Sequence, residues 1–144
     1  MKALYVSARD PVGPVRLARK RIVEVMSKPA VTIPVGVTLN EALTTMVRTG
    51  LRHLAVVDIG GHCIGVLSDR VIAAVWAADH TALAYRTVAS TLAPEPAVLS
   101  LRDTVADAAR LMGASGVDAV AVVDDHGDPV GLVTGGDLVW LLAK

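Results

Sequence analysis

The chain has 144 residues, with hydrophobic residues at 53%, charged residues at 19% and formal charges that cancel. This is a globular composition, far from the polar, charge-rich profile of disorder, and long enough for one domain or two small halves sharing a core. A balanced charge leaves no global field to draw in nucleic acid or an acidic membrane.

Residues 1–28 hold seven basic side chains (Lys2, Arg9, Arg16, Arg19, Lys20, Arg21 and Lys28) against Asp10 and Glu24. We read residues 1–22 as a solvated basic extension. Apart from Tyr5 the arm has no aromatic platform on which bases stack, which argues against nucleic acid as its partner. The longest apolar run, Val71 to Ala78, falls far short of the ~20 residues that span a bilayer, and Arg9 interrupts the start before a signal-peptide core can form. A cytoplasmic protein without membrane contact is expected. Cys63 is the only cysteine, so neither an internal disulfide nor a thiolate metal cluster can form.

The first predicted strand is Val31–Ile33. Thr38 followed by Glu41 is a capping box and starts a helix, on which Leu39, Leu43, Met46 and Val47 recur at helical spacing as a buried stripe. Gly50 ends it, taking the left-handed conformation at little cost. Two apolar runs, Leu54–Val57 and Cys63–Leu67, flank Gly60-Gly61 as a β-hairpin, and a helix follows over Asp69–Ala78.

The same order then recurs. A strand is predicted at Ala97–Leu99, a helix opening at Thr104 and closing at Gly116, a hairpin from Val120–Val123 and Val130–Val133, and a last helix over Gly135–Ala143. The recurrence keeps register without a gap. Asp58 matches Asp124, 66 positions on, and the same offset pairs Thr38 with Thr104, Met46 with Met112, and Gly65 with Gly131. Two copies at so long a period indicate a duplicated domain rather than a solenoid. We divide the chain into the extension 1–22, a first repeat 23–78, a connector 79–90 and a second repeat 91–144. The fold class is α/β (α+β). Each repeat runs strand–helix–strand–strand–helix, and the two pack sheet to sheet with pseudo-twofold symmetry, because one copy alone cannot bury both faces of its sheet.

Over about residues 23–142 the chain resembles a tandem pair of cystathionine-β-synthase (CBS) domains, a Bateman module. The resemblance rests on three features: the doubled element order; the glycine-to-aspartate segments Gly50–Asp58 and Gly116–Asp124, with Ala55 and Ala121 where the family often has proline; and the segment opening each last helix. It implies an adenine nucleotide (AMP, ADP, ATP or another adenosyl compound) as regulatory ligand between the repeats. It also implies a homodimer, an unidentified regulated partner protein, and no further cofactor.

The family pattern S/T-x-x-D is complete in the second copy, Thr134-Gly135-Gly136-Asp137, and broken in the first, Ser68-Asp69-Arg70-Val71. The resemblance places Asp137 on ribose and Thr134 at the ribose–phosphate junction. Helix capping alone is the competing explanation for both. It also assigns Arg52 and Arg70 to phosphate in the same cleft as Asp137, with the fork of a guanidinium suited to that anion. Their counterparts, Asp118 and Gly136, would fall in the Val71 cleft. Ala97, Val98 and Val117 are the matched candidates for an adenine slot. His53 is read as a packed strand-edge residue. No nucleophile motif, Walker loop, GxGxxG segment or metal-ligand spacing is present, so the chain reads as a binding module and not an enzyme. The alternative is a dimerisation or protein-interaction module that carries no ligand and modulates a partner protein.

Overall fold

A computed structural model describes residues 12–143. Lys2, Tyr5 and Arg9 of the basic extension lie outside the described residues. The extension continues as a short helix α1 (Val12–Ala18) and a 3-10 turn at Ile22–Glu24. The first repeat comprises β1 (Thr32–Pro34), α2 (Leu39–Thr49), β2 (His53–Val57), β3 (Cys63–Ser68) and α3 (Asp69–Ala78). After 3-10 turns at Ala82–Ala84 and Val88–Thr91, the second repeat has β4 (Val98–Ser100), α4 (Val105–Ser115), β5 (Ala119–Val123), β6 (Pro129–Thr134) and α5 (Gly135–Ala143).

The helix signals act as the sequence dictates. The Thr38 hydroxyl accepts the Glu41 N–H at 3.2 Å, and the Glu41 carboxylate accepts the Thr38 N–H at 3.2 Å. Thr104 and Asp107 repeat the exchange at 3.3 and 2.9 Å. Gly50 and Gly116 close the two helices at φ 72° and 67°. The predicted stripe on α2 needs one correction. Leu39, Ala42 and Met46 are buried, whereas Leu43 faces outward and Val47 is 75% exposed. The helix turns its narrow 3-4-spaced edge inward, and its other apolar flank stays on the surface.

Each sheet has three strands, ordered β1-β2-β3 and β4-β5-β6, with the first pair parallel and the second antiparallel. Their registers are related by the same 66-residue offset: Thr32 pairs with Ala55, and Val98 with Ala121. The sheets meet at a cluster of Ala55, Ala121, Cys63 and Leu132. Ala55 and Ala121 are fully buried there, and their size sets the close approach of the sheets.

The repeats exchange their leading segments. Ile22, ahead of the first repeat, is fully buried in the core of the second, among Leu99, Val105, Val120 and Val133. Val88, in the connector, is fully buried in the core of the first, among Leu39, Leu54 and Ile72. The backbone ties follow the same rule. Ile22 N–H donates to Asp103 and Val105 N–H to Lys20, while Leu39 N–H donates to Arg86 and Val88 N–H to Val37. Likewise α1 packs on α4 and α5, and the Ala82–Ala84 turn on α2 and α3.

Candidate functional site

Two clefts open between the repeats, and they are pseudo-equivalent. The smaller, about 220 Å³, is walled by Val31 and Gly50–His53 of the first repeat and by Leu132 and Thr134 of the second. The larger, about 430 Å³, is walled by Ala97 and Gly116–Ala119 of the second repeat and by Val66, Ser68, Arg70 and Val71 of the first. The matching residues lie 66 positions apart, except that Gly136 and Asp137, the counterparts of Arg70 and Val71, do not line the smaller cleft.

Their sizes differ because of the exchanged segments. Ser27 and Leu132 trade N–H···O bonds of 2.9 and 3.0 Å, which lays the chain along the edge of β6 and fills the smaller cleft. Gly131 permits this contact: a Cβ there would lie 2.8 Å from Met26 Cγ and 3.0 Å from the Ser27 carbonyl oxygen. The matching stretch in the second half is Ala93-Pro94-Glu95-Pro96. Ala93, the counterpart of Ser27, precedes Pro94, which restricts its backbone, and Pro96 follows two residues on. The stretch forms no bridge to Val66, and Ala93, Glu95 and Pro96 instead border the larger cleft.

The predicted site residues are therefore divided. Thr134 and Arg52 share the smaller cleft. Asp137 stands behind Thr134: its Oδ2 accepts the Thr134 N–H at 2.8 Å, and its own N–H donates to Thr134 Oγ1 at 3.1 Å. This is a reciprocal cap on α5. Arg70, Ala97 and Val117 line the larger cleft. The expectation that Arg70 joins Asp137 is thus corrected, as is the grouping of the adenine-slot candidates with Asp137. Arg70 sits in the first turn of α3 beside Ser68 and Val71, so it opens onto their cleft. Val98 lines neither cleft and packs into the contact between the sheets.

The larger cleft holds three polar groups besides Arg70 that face one another across the repeats, Ser68, Asp118 and His53. Ser68 is buried, and its Oγ accepts the Val71 N–H at 3.3 Å, half of the cap that Asp137 completes in the other repeat. Asp118 crosses the repeat boundary twice, with Oδ1 3.3 Å from His53 Nε2 and Oδ2 3.6 Å from Arg70 Nη1. His53 is the one residue that borders both clefts. The signal for Asp118 was present in the sequence: it replaces Arg52 at the pseudo-equivalent position. What could not be read was that Arg70 pairs with it. Among the described residues no group of three His, Cys, Asp or Glu side chains can hold a metal ion, and no helix is long and apolar enough to cross a membrane.

A family model for the CBS domain matches residues 22–77 and 88–144. The chain belongs to the CBS domain family. A CBS domain-containing protein of Dictyostelium discoideum is 29% identical over 130 residues, spanning 84% of this chain and 90% of the relative. Among solved structures, a CBS domain pair in complex with 5-methylthioadenosine and S-adenosyl-L-methionine superposes with a TM-score of 0.74 at 24% identity, over 87% of this chain and 97% of that one. The cytosolic domain of the Mg2+ channel MgtE in complex with ATP gives 0.68 at 26% identity, over 88% of this chain and 50% of that one. The duplicated α/β architecture is that of a CBS pair.

Proposed function

We propose that this CBS pair is a regulatory module that binds an adenosine compound between its repeats, with the larger cleft as its principal seat. The carrying observation is the cleft itself. Its volume of about 430 Å³ falls within the ~300–1,000 Å³ of small-molecule sites, and the smaller cleft falls below that range. Ile64, Val66, Ala97 and Val117 provide an apolar wall for a base, and His53, Ser68, Arg70 and Asp118 provide polar groups. Structural neighbours holding ATP or an adenosyl compound support the ligand class.

The two clefts divide the family's requirements between them. The smaller one keeps Thr134 and Arg52, with Asp137 behind Thr134, but lacks room, whereas the larger one has room but carries Val71 in place of the acid. Room takes precedence. A missing hydrogen bond to a charged acceptor costs about 1.5–3 kcal/mol, which weakens binding, while a steric clash excludes the ligand. The second reading, an interaction module that acts without a ligand, draws on Val71 and on the engagement of Arg70 with Asp118.

Calorimetric titration with adenosine tests the proposal. One site per chain is expected in the wild type. Ala97→Phe, which fills the larger cleft, should weaken binding by more than about tenfold, equivalent to about 1.4 kcal/mol. Val31→Phe, the matching change in the smaller cleft, should leave it within about threefold. Equal loss in both variants overturns the assignment to the larger cleft. No heat with any adenosine compound favours the ligand-free interaction module.

A further inference from the structure

The pseudosymmetry supplies an internal control on charge. Position 52 in the smaller cleft is an arginine, and its counterpart in the larger cleft, position 118, is an aspartate. The second carboxylate on the larger cleft, Glu95, stands where the other half has Pro29. The charged groups bordering the larger cleft are thus Asp118, Glu95 and Arg70, with His53 beside them. Arg70 is the one guanidinium, and its Nη1 is already 3.6 Å from the Asp118 carboxylate. The smaller cleft has no carboxylate on its wall; Arg52 is its cation, and its Nε lies 3.8 Å from the Asp69 carboxylate outside that wall.

The placement of these groups matters for a bound nucleoside. A base is driven to the apolar wall, away from water. The 5′ end then lies toward the polar mouth, where Asp118 is half exposed and Arg70 largely so. A phosphate arriving there meets the Asp118 carboxylate and an arginine already 3.6 Å from it, and the exposed Glu95 adds a second negative charge to the lining of the same cleft. Like charges close together at a partly solvated site repel by amounts that decide specificity, and salt weakens the effect. An uncharged thioether meets no such repulsion, and a cationic sulfonium is attracted.

We propose that the larger cleft selects adenosine derivatives whose 5′ substituent is uncharged or cationic, and rejects 5′-phosphates. This rests on the reading of the cleft as an adenosine site. It divides the nucleosides by charge: alkylthio and sulfonium adenosines are ligands, and mono- or triphosphates are poor ones.

The test is a calorimetric comparison of adenosine, 5′-methylthioadenosine and AMP at about 10 mM ionic strength, where the screening length is about 30 Å, and again at about 150 mM. The thioether should bind about tenfold or more tightly than AMP at low salt, with a smaller gap at high salt. Asp118→Asn combined with Glu95→Gln should bring the ratio below about threefold, and Arg70→Gln should widen it. A melting curve confirms that each variant is folded. The inference is overturned if AMP binds as tightly as the thioether to the wild type, or if the ratio is unmoved in the double variant. In either case adenosine still binds, so the adenosine reading stands. If adenosine itself does not bind, that reading falls and takes this one with it.

Discussion

Replacing Ile22 by alanine tests the exchange of segments that shapes both clefts. Ile22 is fully buried and sits in the core of the second repeat, although it precedes the first. The substitution removes three carbon atoms. At about 0.8 kcal/mol for each buried methylene the transfer loss is about 2.4 kcal/mol, and the cavity left behind raises it to about 3–4 kcal/mol. For a chain of this size that lowers the melting temperature by roughly 6–16 °C. Val88→Ala removes two carbons from the pseudo-equivalent position and should cost about 2 kcal/mol. Urea denaturation measures the totals, and amide hydrogen exchange locates them. Ile22→Ala should reduce protection first in β5, β6 and α4, and Val88→Ala in β2, β3 and α2. A loss under about 1 kcal/mol for Ile22→Ala, or loss of protection centred on β2 and β3, would refute the exchanged arrangement.

Three further outcomes follow from the structure. The apolar surface left by Val47, Trp76, Trp140 and Leu142 should be covered by a second copy, so light scattering should give twice the 15.0 kDa chain mass; Trp76→Glu with Trp140→Glu should return the mass to that of one chain, and an unchanged dimer would place the interface elsewhere. Ile72 and Leu138, on the same two helices as Trp76 and Trp140, are buried within their own repeats and add nothing to that surface. The Asp79 carboxylate accepts bonds from the Tyr85 hydroxyl at 2.6 Å and from the Thr81 hydroxyl and N–H at 2.7 and 2.9 Å, which hold it down at about 2. Its stabilising contribution is therefore complete above the ordinary carboxylate range and is lost as pH falls toward about 2; Tyr85→Phe should move the carbon-detected NMR titration of Asp79 upward, and an unmoved midpoint would show that the phenol bond is not made. Burial pushes the Cys63 thiol up, so a thiol reagent at mildly alkaline pH should label it only as fast as the chain opens. Immediate labelling of the folded protein would contradict its place between the sheets.

Much of the fold was legible because its signals are local. Thr38 with Glu41 and Thr104 with Asp107 announce helix starts through bonds spanning three residues. Gly50 and Gly116 announce helix ends through a backbone conformation that glycine adopts cheaply. Both last helices lie where the sequence placed them, and the first strand of each repeat is displaced by one residue. The stripe on α2 was misjudged because Leu43 and Val47 satisfy helical spacing as well as Ala42 does; only packing against the sheet reveals which flank turns inward.

The site was less legible because it depends on contacts between distant residues. The duplication, the element order, the family and the inequality of the two clefts can all be read from residue types in register, since the aligned copies show Val71 against Asp137 and Arg52 against Asp118. The offset even extends upstream, matching Leu17-Ala18 to Leu83-Ala84 and Ile22 to Val88, a sign of the exchanged segments that was available without coordinates. Which wall faces which is settled by packing between distant residues. That packing put Arg70 with Asp118 rather than Asp137, brought His53 to the border of both clefts, and gave the greater volume to the cleft with the broken motif. A repeat pattern fixes what each copy is made of. The space between copies is set by how the linking segments cross it: Ser27 pairs with an edge strand, while the stretch carrying Pro94 and Pro96 does not.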